Sequence, residues 1–383
     1  MRVLSEMWNQ IQRSLFPQME ETLGPLTDKQ QKLVAILELV RIEEFVPGGF
    51  LRAPGQHPAD RRALARAFIA KVVYNMPTTR VLIDQVQSSP QLRRICGWER
   101  ANDVPSESTF SRAFAEFAQS QLPQKVHAAV VKEHVSPEEV VVMHISRDST
   151  EIEAREKAAP KAETKSEGQP APQAEAKGEE QPASQSKRKR GRPKKGEEPP
   201  AKEPTRMEQQ VGQSWEEAVK ALPKVCNWGA KQDSNGHWHC WKGYKLHWDV
   251  ADNGVPISVT LTAASLHDSQ VAIPLAKMTA GRVIYLYDLM DAAYDAKVIA
   301  DYCRSQGRVP IIDKNGRGEE VVPMDPATAR RYDERTTVER ANSALKDDFG
   351  GRMVRVRGHA KVFAHLMFGI LALTADRLLR LVA

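Results

Sequence analysis

One fifteen-residue segment carries most of the chemistry that can be read from this chain. Tyr332–Lys346 reads Tyr-Asp-Glu-Arg-Thr-Thr-Val-Glu-Arg-Ala-Asn-Ser-Ala-Leu-Lys, without Gly or Pro. At about 100° per residue of helix, Tyr332, Arg335, Glu339 and Lys346 fall within roughly a 60° arc of one face. Val338, Ala341, Leu345 and Phe349 cluster on the far side, so the spacing predicts a docked apolar stripe with the polar row facing outward. One carboxylate between two cations and a phenol can hold a metal beside a phosphodiester. The carboxylate binds the ion, while the cations and the phenol grip phosphate oxygens. The same row also suits a helix laced with ordinary salt bridges.

Two further acids lie upstream. Val140–Ile145 is a short β-branched run that predicts a buried strand, with Asp148 delivered at its end in Arg147-Asp148-Ser149-Thr150. Arg282–Tyr287 predicts another strand, followed by Asp288 and then by Asp291-Ala292-Ala293-Tyr294-Asp295. Strand ends are suitable places to present carboxylates to a common site.

The elements around them follow from periodicity and punctuation. Residues 1–135 read as helical: Lys29–Phe45 ends at Pro47-Gly48-Gly49, and Arg61–Tyr74 and Thr79–Val86 repeat the helical spacing. Val104–Arg112 resembles a Ser/Thr-capped turn entering a helix. It could complete a helix-turn-helix with Arg112 toward DNA, or be a plain capped helix in a bundle. Tyr244–Val250, Asn253-Gly254 and Ile257–Leu261 predict a β-hairpin with a type I′ turn. Asp268 would cap a helix over Ser269–Met278 or join the catalytic set. A helix over Ala296–Gln306 and a strand over Val309–Ile312 continue a β-α-β rhythm. Arg352, Arg355 and Arg357 form a basic turn, and Lys361–Leu381 an amphipathic helix for core packing or a dimer face.

Residues 153–206 contain no Val, Ile, Leu, Met, Phe, Trp, Tyr or Cys, and so predict a disordered insert. Within it Lys187–Lys195 holds seven cations in nine positions around Arg190-Gly191-Arg192-Pro193. That core resembles an AT-hook, in which Arg190 and Arg192 would enter a narrow A·T minor groove; the alternative is a non-specific charge cluster. Cys226, His237, His239 and Cys240 invite a zinc reading, but without the usual ligand spacing.

Composition bounds the rest. The 383 residues suffice for two or three domains, and the formal charge of +6 suits a polyanionic partner. The 4 scattered cysteines argue for a reducing compartment rather than a disulfide framework. The N-terminal stretch lacks a signal-peptide core, and the apolar run Val362–Leu373 is interrupted by His365. The expectation is a cytoplasmic, nucleoid-associated protein without a membrane span.

The pattern Tyr332-x2-Arg335-x3-Glu339-x6-Lys346 resembles the signature of bacterial insertion-sequence transposases of the DDE type, where the Glu is the third catalytic carboxylate. Arg61–Phe117, with Val104-Pro-Ser-Glu-Ser-Thr-Phe-Ser-Arg112, resembles the helical domain that precedes their catalytic domain and is thought to serve terminal-repeat recognition or dimerisation. Gly243–Ser269 resembles the strand pair that follows their first aspartate. Their second aspartate precedes a small-small-Tyr-Asp turn, which Asp291 matches, with Asp288 as the alternative.

The resemblance spans roughly residues 61–120, 140–150 and 240–375. It implies an α/β, RNase H-like catalytic domain, a mixed sheet flanked by helices, behind an all-α N-terminal domain. The division would be 1–135 helical, 136–152 first catalytic strand, 153–206 insert and 207–383 the remaining catalytic domain. The 48 positions from Asp291 to Glu339 leave no room for the β-rich insertion that some relatives carry there. Asp148, Asp291 and Glu339 would ligate two Mg²⁺ or Mn²⁺ ions, and Tyr332, Arg335 and Lys346 would hold the DNA end. Terminal repeats and target DNA are the implied partners, with a homodimer in the synaptic complex. A catalytically silent DNA-binding relative and a metal-dependent DNA nuclease are the alternative functions.

Overall fold

The computed structural model describes residues 24–47, 59–135, 142–159, 204–232, 236–316 and 322–382. The basic run Lys187–Lys195, with Arg190 and Arg192, lies outside the described residues, as does nearly all of the expected insert.

Helices come first, with bounds close to those expected from periodicity. They are α1 (Asp28–Val40), α2 (Arg61–Val73), α3 (Thr79–Ser88), α4 (Pro90–Cys96), α5 (Glu107–Gln119) and α6 (Leu122–His134). Thr27 and Gln30 form a reciprocal capping box at the start of α1. At α5 the expected cap differs: the Ser106 hydroxyl bonds the hydroxyls of Ser108 and Thr109 instead of a backbone amide. Arg112 is exposed on that helix.

The sheet follows: β1 (His144–Glu153), then the short helices α7 (Arg206–Gly212) and α8 (Trp215–Lys220), then β2 (Asn227–Gln232), β3 (Trp238–Ala251) and β4 (Pro256–Ala263). Beyond α9 (Ser269–Ala280) come β5 (Tyr287–Met290), α10 (Lys297–Ser305), β6 (Val309–Ile312), α11 (Pro326–Tyr332), α12 (Thr336–Asp347) and α13 (His359–Val382). Strands β1, β3 and β4 pair antiparallel, and β5 and β6 extend the sheet from β1 in parallel. Strand β2 pairs antiparallel with the first part of β3.

One hydrophobic core runs from Leu33, Phe68 and Val130 of the helices to Leu246 and Trp248 of the sheet. Its axis is α13, which packs against α1, α2, α5, α6 and β4. This helix is long and apolar enough to cross a membrane, but 89% of its most apolar window is buried inside the fold. Gly369 lets it pass close under the chain after α12, because an added Cβ would lie 2.5 Å from the Phe349 carbonyl oxygen.

Three local expectations need correction. Strand β1 begins at His144 and runs to Glu153, so Asp148 lies mid-strand rather than at a strand end. Strand β5 is Tyr287–Met290 rather than Arg282–Tyr287, which puts Asp288 inside the sheet. Both shifts have one cause. Arg147 is fully buried and donates to both oxygens of Asp249 at 2.8 Å and to Asp288 at 3.1 Å. Thr279 donates to Asp249 at 2.6 Å and Tyr285 to Asp288 at 3.2 Å, so charged residues that read as strand breakers are satisfied within the core. Third, the hairpin turn is not type I′: Gly254 has φ +81°, but Asn253 is not among the residues with positive φ. The Asp252 carboxylate accepts from the amides of Met143 and His144, drawing that residue into a longer loop. The chain after β1 is also ordered further than expected, since the amides of Ala154 and Ala159 bond the carbonyls of Lys242 and Cys226.

The buried Arg147 cluster sets a stability prediction. Arg147→Ala leaves Asp249 buried without its ion-pair partner and Asp288 with only Arg308, 3.6 Å away. Urea unfolding is expected to show a loss of about 3–5 kcal/mol; a loss below about 1 kcal/mol would refute the role given to the cluster.

Candidate active site

Asp148 lies directly opposite Trp248 in the β1–β3 register, so the two side chains share a sheet face. The Trp248 indole donates to Asn342 Oδ1 at 3.0 Å, and Asn342 Nδ2 donates to Asp148 Oδ2 at 2.9 Å. Helix α12 is therefore latched to the strand that bears the first carboxylate. Its expected apolar stripe, Val338, Ala341 and Leu345, is buried, as is Phe349 just beyond it. Asp291 follows β5 directly and accepts from the Ala293 amide at 3.0 Å, which fixes its carboxylate at the strand end. The segment expected as one helix is divided: α11 ends at Tyr332, a 3-10 turn covers Asp333–Arg335, and α12 begins at Thr336.

Arg335, at that turn, is where the acids meet. Its guanidinium lies 3.5 Å from Asp148, 3.6 Å from Asp291 and 2.7 Å from Glu339. Residues from three separate elements thus converge on one cation. The polar row does not all face outward, as its spacing suggested: the Arg335 and Lys346 side chains are only 15% and 18% exposed, against 56% for Glu339. Lys346 pairs with Glu151 of β1 at 3.2 Å. The row faces the sheet because the sheet supplies carboxylates there, which the helical wheel alone cannot reveal.

Burial dominates the electrostatics. It pushes Asp148 up to about 6, with Arg335 opposing and Asp291 adding to the rise. Asp291 is raised too, again mainly by burial and against Arg335. For Arg335 burial works against the charge, but Asp148, Tyr332, Asp291 and Glu339 outweigh it and raise its pKa. The half-buried Tyr332 phenol is pushed to about 12, first by burial, so it remains a proton donor at neutral pH. Tyr294 is fully buried near Asp148 and Asp291, and its hydroxyl has no hydrogen-bond partner. Lys231 of β2 is close enough for its charge to act on both Asp148 and Asp291.

The other sequence candidates are not among the acids that meet Arg335, although Asp268 lies close enough for its charge to raise Asp291. Asp288 is fully buried against Arg147, away from the Arg335 cluster. Asp268 occupies the N-cap position of α9 but makes no side-chain cap; it binds Lys245 at 2.8 Å and lies 3.8 Å from His247. Among the described residues no group of three His, Cys, Asp or Glu is placed to hold a metal, so the zinc reading of Cys226, His237, His239 and Cys240 gains no support. That also applies to Asp148, Asp291 and Glu339 as they are held around the guanidinium. Their donor chemistry nevertheless fits a hard divalent cation: the oxygens are carboxylate, and burial holds back ionisation of the two aspartates until more positive charge is supplied.

Asn342, Glu151, Tyr294 and Lys231 were not singled out from sequence. Asn342 had a usable signal, since it follows Glu339 by three positions and so lies on a neighbouring helix face. The others depend on long-range pairing.

The family model described as Transposase DDE domain matches residues 144–375. A second, described as Transposase domain (DUF772), matches residues 20–116. No curated protein and no solved structure matches the chain.

Burial of Asp148 carries a pH prediction. Its folded pKa, about 6, lies above the unfolded value of about 3.9, so the protonated acid favours folding. This contribution is full below about pH 4 and is lost as pH rises through about 6. In a chelator, the unfolding free energy is expected to fall over that window by an amount on the order of 1–3 kcal/mol. Asp148→Asn should flatten the fall; denaturation curves with the same slope in both proteins would refute the assignment.

Proposed function

The chain belongs to the transposase DDE domain family and is a DDE transposase of the insertion-sequence type; we propose that it cuts DNA at the ends of its element through Asp148, Asp291 and Glu339. The freed 3′-hydroxyl is then joined to target DNA. The observation that carries the reading is the convergence of these three carboxylates on Arg335. Sheet order supports the RNase H-like form of the fold, with an antiparallel β4-β3-β1 half continued by parallel β5 and β6.

The three acids would hold divalent ions, Mg²⁺ or Mn²⁺, in a pair. Bound there, such ions supply Lewis-acid activation of water or a 3′-hydroxyl and stabilise the leaving 3′ oxygen. Arg335 balances the carboxylates in the ion-free protein and is released to bind a phosphate oxygen once their charge is satisfied elsewhere. Tyr332, protonated at neutral pH, donates a hydrogen bond to the same strand. Lys346 offers a phosphate contact along α12 in exchange for Glu151. Asn342, which bonds Asp148 and is itself held by Trp248, orients the first carboxylate.

The helical region over residues 1–135 would recognise terminal repeats, and Arg190-Gly191-Arg192-Pro193 would add minor-groove affinity. Joining two ends requires at least two copies of the chain at one synapse, in the cytoplasm where the nucleoid lies.

The test incubates purified protein and Mg²⁺ or Mn²⁺ with labelled DNA carrying the ends that flank its own gene. Asp148→Ala, Asp291→Ala and Glu339→Ala are each expected to reduce cleavage at least about 100-fold, and Asn342→Ala about 10–100-fold. Binding without metal-dependent cleavage by the wild type would instead identify a silent DNA-binding relative. Cleavage that survives the three carboxylate substitutions would refute the site.

A further inference from the structure

Strands β2 and β3 extend beyond the rest of the sheet as a two-stranded ribbon. From Trp238 to Trp241 strand β3 pairs only with β2, because β1 and β4 join β3 from Gly243 and Tyr244 onward and the Ala154 amide bonds the Lys242 carbonyl. Ala230, Lys231, Gln232 and Gly236–Cys240 are all exposed. Register places Trp228 opposite Lys242 and Gln232 opposite Trp238, so both tryptophans and Lys242 share one face. The indoles are 61% and 68% exposed. The opposite face is anchored by Trp241, whose ring lies where a Cβ on Gly229 would be, 2.5 Å away. A substituted Gly229 would push that anchor out.

Exposed indoles along a ribbon, Trp228 near its root and Trp238 near its far end, stand where an apolar residue gains nothing in the free protein. Their surroundings indicate what covers them. The sequence from Asn227 to Lys242 holds two lysines, Lys231 and Lys242, against one carboxylate, Asp233. Exposed indoles that share a face with a lysine are complementary to a nucleic-acid strand, whose bases stack on the rings while its phosphates meet the cation. Duplex DNA hides its base faces; an unpaired stretch offers them. Lys231, on the other face of the ribbon, lies within electrostatic reach of Asp148 and Asp291, which puts the ribbon beside the candidate active site.

We propose that the β2–β3 ribbon is a stacking arm that holds unpaired DNA next to the cut, with Trp228 and Trp238 against bases and Lys242 against the backbone. This rests on the transposase reading for the identity of the DNA, but not on metal or catalysis for its test.

The experiment measures binding by fluorescence anisotropy, in a chelator, of two labelled probes from the element's end. One is a blunt duplex and the other carries a single-stranded flank beyond the presumed cut. The wild type is expected to bind the flanked probe more tightly. Trp228→Ala and Trp238→Ala should each weaken that probe by about fivefold or more, while Trp228→Phe and Trp238→Phe keep most of the affinity. Lys242→Ala should lower the salt dependence on the flanked probe. Melting temperatures of the variants, compared with the wild type, report the fold.

Folded alanine variants that bind both probes like the wild type, or weaken on both equally, would overturn the arm. So would alanine variants that turn an oligomer into a monomer with DNA affinity intact, which would make the ribbon a contact between copies. Wild-type cleavage of the ends together with any of these results would leave the transposase reading standing without the arm. A wild type that binds neither probe would overturn both.

Discussion

The fold around the active site depends on one buried cation. Arg147 stands in the central strand and bridges Asp249 of β3 and Asp288 of β5, tying the antiparallel half of the sheet to its parallel half. Such a cluster is costly to desolvate and worth its place only when each charge is met. Here Thr279 and Tyr285 add hydrogen bonds from α9 and from the segment before β5, and Arg308 lies 3.6 Å from the second oxygen of Asp288. The consequence for function is geometric. Asp148 is the next residue after Arg147, and Asp291 comes three after Asp288, so fixing the cluster fixes the backbone that presents both site aspartates.

A second interaction places the third acid. Asn342 bonds Asp148 on one side and the Trp248 indole on the other, while Val338, Ala341 and Leu345 dock the reverse face of α12. Glu339 is thereby brought to the guanidinium of Arg335 along with the two aspartates. Positive charge is scarce there relative to carboxylate, and burial resists ionisation of Asp148 and Asp291. Such a site favours any added cation. Arg335 supplies the cation that the chain itself owns.

Local pattern made much of this legible. The strand Val309–Ile312 and most helix bounds are set by near neighbours in sequence, and the structure agrees with those elements. The errors fall where distant charges override local propensity. Asp148 and Asp288 read as residues beyond strand ends because a charged side chain rarely sits inside a central strand; Arg147 and its partners make them exceptions. Arg335 and Lys346 read as outward-facing because the carboxylates that turn them inward lie up to 195 positions away. Asp268 read as a helix cap, but Lys245, from a neighbouring strand, takes its carboxylate. Periodicity contains no information about such pairs.

Helix α13 is the element that the N-terminal helices, β4 and α12 all pack against. As the chain leaves the ribosome, α1, α2, α5 and α6 are made long before the surface that completes their core. They must wait, with apolar faces uncovered, until residues near 380 have emerged. Helix α12, with Glu339, docks on β1 and β3, which are made before it, and on α13, which is made after it. Synthesis therefore closes the N-terminal core and completes the packing of α12 at the same late moment.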